Sequence, residues 1–407
     1  MKRLVIIGAG ASGLFAASQL KNIDLEVIIV EKNNKTGKKL AITGKGRCNL
    51  TNHEDISNFF DKINTNKDFL YSSFYTFTNI DTENFFISKG LDLVVERGNR
   101  VFPKSQKASD VVDLLNREII CKNIKILLNK NVQSIKKENN KFLIKFLDDY
   151  IEADYIIIAT GGMSYPTTGS TGDGFRFAKF FGHKIVDPRP ALVPIEITND
   201  FIKDLIGISL KNVNLTYYKD NKKVISEFGE MLFTHFGISG PIVLKICNYV
   251  NKGYFLLDLK PYFTEEELDK KLLSIFEEEK NKDLINGIKS ITTLRIIPTL
   301  IRLSKIDPNK KIHQITKQER KRLVYFLKNL RLDVRGLRDI KEGIITKGGV
   351  CTDEIDPSTM ESKLINNLFF IGEVIDVDAN TGGYNLQIAF STAYLASLCI
   401  KERLNEN

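Results

Sequence analysis

The segment Leu4-Val5-Ile6-Ile7-Gly8-Ala9-Gly10-Ala11-Ser12-Gly13 runs an apolar stretch straight into a turn punctuated by three glycines. Apolar residues continue to Leu20, and a second β-branched run, Glu26–Val30, ends in Glu31. The pattern predicts a strand over Arg3–Ile7, a helix from the turn through Leu20, and a strand over Glu26–Val30. Gly8-Ala9-Gly10-Ala11-Ser12-Gly13 is then the dinucleotide fingerprint in the setting it requires. Its first glycine permits the tight turn, its second lets backbone approach a pyrophosphate, and its third lets helix and strand pack closely. Free N–H groups at the helix start face the phosphates. Glu31, 18 residues past Gly13, stands where a carboxylate accepts from both ribose hydroxyls. A carboxylate there repels a 2′-phosphate, which selects NAD or FAD over NADP. Lys2-Arg3 before an apolar run also has the look of a secretory leader, but the glycines and the strand that follows argue for a βαβ opening.

The chain has 407 residues, room for two or three domains at about 150 residues each. A hydrophobic fraction of 43% supports a large core and excludes a disordered chain or a small disulfide scaffold. Cys48, Cys121, Cys247, Cys351 and Cys399 are scattered and form no CxxC or CxxxxC pair. That argues against a redox disulfide and a structural zinc site, and fits a reducing cytoplasm. The four histidines are not spaced as metal ligands, so no metal is expected. The net charge of +9 mixes lysines with acids, as in Glu277-Glu278-Glu279-Lys280-Asn281-Lys282-Asp283, and reads as a solvated surface before it reads as a nucleic-acid face. No apolar run has membrane-spanning length.

Lys38-Lys39-Leu40-Ala41-Ile42-Thr43-Gly44-Lys45-Gly46-Arg47-Cys48-Asn49-Leu50-Thr51-Asn52 shows no helix or strand period and is expected as a ligand-contacting loop. A helix is expected over Ala108–Ile119, with strands at Lys125–Leu128, Gln133–Lys137, Phe142–Leu147 and Tyr155–Ala159. The last is fully apolar and delivers Thr160-Gly161-Gly162 to its carboxyl end, as a buried parallel strand does. A helix reaching Gly182-His183 follows, with Asp173 or Thr171 as its cap. Val193 to Leu259 is mostly strand, with a hairpin at Tyr217–Lys222. Thr264–Asn281 and Thr316–Leu330 are helical, the first opened by a Thr-Glu-Glu-Glu capping signal. An apolar strand Leu368–Ile371, then Gly372-Glu373, precedes a last helix from Asn385 to about Leu404. One dinucleotide motif at the front and one strand-loop-helix at the end, with everything else inserted between, suits a flavin-binding assembly better than a contiguous dehydrogenase domain.

Several segments together resemble the BaiN/YhiN-type flavoproteins, the aminoacetone-oxidase-like family. They are the opening motif, Thr43-Gly44-Lys45-Gly46-Arg47-Cys48-Asn49-Leu50-Thr51-Asn52, Gly172-Asp173-Gly174, Phe233-Thr234-His235-Phe236-Gly237-Ile238-Ser239-Gly240-Pro241, Lys347-Gly348-Gly349-Val350, and Gly372-Glu373 through Gly382-Gly383-Tyr384-Asn385-Leu386-Gln387. The resemblance spans essentially the whole chain. It implies an α/β fold: a Rossmann-like FAD-binding domain of the glutathione-reductase/fumarate-reductase type, interrupted by a β-rich domain that carries a helical insertion. The corresponding boundaries are 1–190 and 346–407 for FAD binding, 191–262 and 331–345 for the β-rich substrate or cap domain, and 263–330 for the helical insertion.

In such flavoproteins the AMP half of FAD sits on Gly8, Gly10, Ala11, Ser12, Gly13 and Glu31, with Lys32 beside the acid. Backbone near Val132 faces the adenine, and Thr160-Gly161 line the cofactor. Gly372-Glu373 resembles the late Gly-Glu pair whose carboxylate holds a ribitol hydroxyl. Gly383, Tyr384, Asn385, Leu386 and Gln387 open the last helix, whose positive end would stabilise charge developing at flavin N1/C2=O. Gly44, Arg47, Cys48 and Asn49 lie in the loop expected near the isoalloxazine. Arg47 suits pyrophosphate or a substrate carboxylate, while Cys48 reads first as a small packing residue. His235 and Tyr384 are the candidate catalytic groups, with Tyr165 a further proton-donor candidate. No second GxGxxG follows, which disfavours a pyridine-nucleotide–disulfide reductase and leaves NADH or NADPH to dock transiently over the ring. The resemblance points both to reduction of unsaturated or keto steroid-type substrates and to amine oxidation. A small-molecule substrate is expected, with hydride passing through flavin N5. The rival readings are a flavoprotein that modifies or binds RNA, drawing on Lys317, Arg320, Lys321, Arg322 and Lys328, and a flavin-binding scaffold without turnover.

Overall fold

Lys2–Ile7 forms β1, Ala11–Gln19 forms α1 and Leu25–Val30 forms β2, in a computed structural model that describes residues 1–20, 24–121 and 124–405. β1 pairs in parallel with β2 on one side and with the strand Tyr155–Ile158 on the other. Leu368–Phe370 and Lys125–Leu127 complete a five-stranded parallel sheet with β1 at its centre. Leu4, Val5, Ile6, Ile156, Ile157, Ile158, Phe369 and Phe370 are all fully buried. Both faces are therefore covered, which is why these strands read as continuous apolar runs. α1 lies along the last helix, Tyr384–Asn405, and the Ser397 hydroxyl donates to the Ala16 carbonyl at 3.1 Å. Ala16, Ala17, Ala393 and Ala396 are fully buried there. Small side chains let these two helices, buried nearly all round, pack closely.

The chain divides into two compact units, 1–190 with 344–407 and 191–343. The second unit is built on a closed antiparallel barrel of six strands: Ile195–Ile197, Gly237–Ser239, Lys222–Phe233, Ser209–Lys219, Tyr254–Asp258 and Leu330–Leu337. Leu215, Tyr217, Phe233, Phe255, Leu257 and Leu332 fill it, fully buried. The helices Glu265–Glu278 and Lys317–Lys328, within the 263–330 segment, contribute Leu268, Leu272, Leu323 and Leu327 to the same cluster of buried side chains. Arg320 joins these two helices, donating to both oxygens of Asp269 at 2.6 and 3.1 Å. Thr264 and Glu267 form the expected capping box.

Three local expectations are corrected. The 38–52 stretch is not all loop: Lys38–Gly46 is helical (α2), broken at Thr43, Gly44 and Lys45, the last two with φ of +57° and +60°. Its glycines masked the period. Neither Asp173 nor Thr171 caps the helix Asp173–Phe180; Gly172 does so in a left-handed conformation, and both side chains turn to Lys32 instead. That helix stops at Phe180, short of Gly182-His183, where Gly182 takes a φ of +89°.

Candidate functional site

The carboxyl ends of β1 and of the strands Tyr155–Ile158 and Leu368–Phe370 lie together at one end of the parallel sheet. There the three glycines of the turn differ in what surrounds them. A side chain at Gly8 would meet the Ala159 carbonyl oxygen at 2.5 Å, and one at Gly13 would meet the Gly8 carbonyl oxygen at 1.9 Å. At Gly10 nothing lies within 4 Å. Two glycines thus serve protein packing, and the third leaves open the approach that a pyrophosphate needs. Glu31 is buried and accepts from the Ala9 N–H at 2.8 Å and from the backbone and side chain of Asn33 at 2.8 and 2.7 Å. A ribose here would meet a carboxylate already fixed in place. Ala11 and Ser12 stand in the first turn of α1. Val132 is buried and its carbonyl accepts from Arg176 at 3.3 Å. Lys32 pairs with Asp173 at 2.6 Å.

Beyond the sheet, Gly372 presses against Ser12: an added Cβ would lie 2.7 Å from its Oγ. Glu373 follows, and three groups missed in the sequence surround it. Its Oε2 accepts from Lys39 at 2.6 Å, and its Oε1 from the Thr346 N–H at 2.8 Å and the Ser164 hydroxyl at 3.1 Å. Gly161 and Gly162 border the same carboxylate, with added Cβ atoms 3.8 and 3.2 Å from its oxygens. The signal for Lys39 was faint, one lysine of a pair in an aperiodic stretch. The Oγ1 of Thr160 and the Oδ1 of Asn49 are buried without protein partners.

The loop after α2 and the start of the last helix, 330 residues apart, meet. Gly383 lies on the Thr51 backbone, where a Cβ would come within 2.3 Å. Asn52 donates to the Gly382 carbonyl at 3.1 Å. Gln387, fully buried, accepts from Thr51 and Thr82 at 2.7 and 2.8 Å. Asn385 ties back to both the N–H and the carbonyl of Ala379, and Leu386 packs on the core. The Tyr384 hydroxyl donates to Glu54 at 2.6 Å, and burial with that carboxylate raises its pKa. Cys48 is fully buried with φ +60°, its thiol pushed up to about 12 by burial, as befits a packing residue. Arg47 spends its guanidinium on Glu96 and Gln106 and lies 4.1 Å over the Phe102 ring. Gly44, with its positive φ, sits at the break in α2, where a Cβ would come 3.1 Å from the Asn49 nitrogen. His235 belongs to the second unit, exposed, its ring 4.8 Å from that of Phe236. Tyr165 takes a left-handed conformation before a short 3-10 turn.

A family model described as "HI0933-like protein Rossmann domain" matches residues 2–399. The chain belongs to that family. The BaiN/YhiN resemblance is borne out, and with it the Rossmann-like FAD-binding fold. This HI0933-like chain is 33% identical over 411 residues to a ribosomal RNA dihydrouridine synthase of Haemophilus influenzae, covering 98% of each. It is 30% identical over 413 residues to a 3-dehydro-bile acid delta(4,6)-reductase of Clostridium scindens, covering 99% of this chain and 100% of that one. Among solved structures, 3-ketosteroid delta1-dehydrogenase from Sterolibacterium denitrificans shares the fold, with a TM-score of 0.54 at 13% identity over 99% of this chain and 100% of that one. The HI0933-like chain is an FAD-dependent oxidoreductase. The open Gly10, the fixed Glu31 and the orphaned polar atoms of Thr160 and Asn49 fit that cofactor. No helix among the described residues is long and apolar enough to cross a membrane.

Proposed function

We propose that the protein reduces a carbon–carbon double bond conjugated to a carbonyl, on a small organic substrate, with NADH or NADPH as the electron source. FAD, when bound, would supply hydride chemistry, and the protein's part would be to hold the conjugated substrate so that its β-carbon takes the hydride and its α-carbon a proton. The observation that carries this reading is the pair of relatives. A delta(4,6)-reductase and a dihydrouridine synthase have names that differ in substrate but agree in chemistry, since each product is what remains after a bond conjugated to a carbonyl is saturated. The start of the last helix, at Tyr384, supports it: a positive helix end is suited to charge gathering on a reduced flavin. In this reading Tyr384 acts through Glu54 to hold that helix end in place, and His235 is a candidate proton donor.

A second reading puts the conjugated bond in a uracil ring of RNA. The first relative's name suggests it. One anaerobic experiment tests both. The protein is titrated with NADH and NADPH while flavin absorbance is followed, then mixed with a 4-en-3-one steroid or with a uridine-containing rRNA fragment. Rapid reoxidation by the steroid supports the first reading, and by the RNA alone the second. Reoxidation by neither, but at once when oxygen is then admitted, replaces both with an oxidase.

A further inference from the structure

Arginine 47 is the cation that the sequence offers to the cofactor's pyrophosphate, yet its guanidinium is taken by Glu96, Gln106 and the Phe102 ring. A different cation stands beside Glu373. Lys39 is held by the Ser164 hydroxyl and by Glu373, both at 2.6 Å, with its side chain 20% exposed. Two acceptors use two of its three N–H donors. The third has no protein acceptor among the described residues. Glu373 follows Gly372, which rests on Ser12 in the first turn of α1, where the fingerprint directs a pyrophosphate. A dianionic pyrophosphate beside the Glu373 carboxylate would be repelled unless a cation stood between them. Lys39, already bonded to that carboxylate and with a donor to spare, is the cation the structure offers there.

We propose that Lys39 is a cofactor-binding residue, donating to the pyrophosphate of FAD while neutralising Glu373 so that this carboxylate can stay ionised beside it. The inference rests on FAD binding alone and not on the reaction proposed above.

The test measures the dissociation constant of FAD, by flavin fluorescence, for wild type, Lys39→Met, Lys39→Arg and Glu373→Gln over a salt series. Losing a charge-assisted hydrogen bond weakens binding roughly 10- to 100-fold at low salt. Because the contact is ionic, the Lys39→Met deficit shrinks as salt approaches about 0.5 M. Lys39→Arg keeps the salt-dependent affinity within roughly threefold, since the charge is retained. Glu373→Gln keeps the cation and therefore the salt dependence. A purely structural strut predicts a loss that salt does not change and that arginine does not rescue. Either that pattern, or wild-type affinity in Lys39→Met, overturns the assignment. If Lys39→Met does not purify folded, Lys39→Arg against Lys39→Gln gives the same reading.

Discussion

At the scale of single residues, Gly10 and Gly13 share a motif but not a job. A methyl group at Gly13 would drive into the Gly8 carbonyl oxygen at 1.9 Å, so Gly13→Ala must push α1 off β1. Its expected cost is about 1–3 kcal/mol of stability, read from urea unfolding. Gly10→Ala meets no protein atom, so it should unfold like wild type yet bind FAD at least about tenfold more weakly, because the methyl occupies the pyrophosphate's approach. Equal stability losses in the two variants would contradict this division. His183 is a second residue with a defined consequence. It is buried, with Nε2 2.8 Å from the Ser362 hydroxyl and Nδ1 3.2 Å from Glu354. Burial lowers its pKa below the ordinary 6.5, outweighing the opposing pull of Glu354. As pH falls through that value the unfolded chain takes up a proton that the folded one refuses, so this residue's contribution is present above about pH 6.5 and is lost on acidification. His183→Gln should flatten the fall in urea midpoint between about pH 7 and pH 5; an unchanged slope would assign that fall to other groups.

At the scale of elements, the glycine-led helix start of the last helix depends on a polar knot. Gln387 takes the Thr51 and Thr82 hydroxyls and gives its amide to the Phe77 carbonyl and Ser391 at 3.3 and 3.0 Å. Gln387→Ala strips four partners in a fully buried setting and should cost about 1–3 kcal/mol by thermal unfolding. The first βαβ unit was legible because periodicity, glycine spacing and a terminal acid all agree over thirty residues of contiguous chain. The knot was not. Gln387 could be singled out by its motif, but Thr82 lies in an aromatic-rich amphipathic stretch with no signal of its own. Lys39 was obscured for a related reason: glycine and left-handed backbone at Gly44 and Lys45 break α2 after one turn, so no helical period marked which face Lys39 occupies. Cys48, by contrast, was legible from chemistry, since a lone small thiol is more often packing than nucleophile, and the Arg47 beside it turns its guanidinium to Glu96 and Gln106.

At the scale of the whole molecule, two units differ in how they use the chain. Residues 191–343 are contiguous and close their sheet on itself, which leaves no strand edge to be completed from elsewhere. That segment expressed alone should fold cooperatively, giving a single urea transition and dispersed amide resonances. A broad, non-cooperative melt would show that it needs the rest of the chain. The alternation of strand and turn from Val193 to Leu259 made its β character readable, whereas closure into a barrel was not, because the pairing of Ile195–Ile197 with Leu330–Leu337 joins strands more than 130 residues apart. The first unit is split. Its central strand is made first and its fifth strand, Leu368–Phe370, among the last. During synthesis the inserted unit is therefore free to fold while the parallel sheet waits, and the flavin cannot be captured until the final helix has left the ribosome. Loading with cofactor is then a late event, and a chain interrupted between residues 343 and 368 is a flavin-free protein with one finished half.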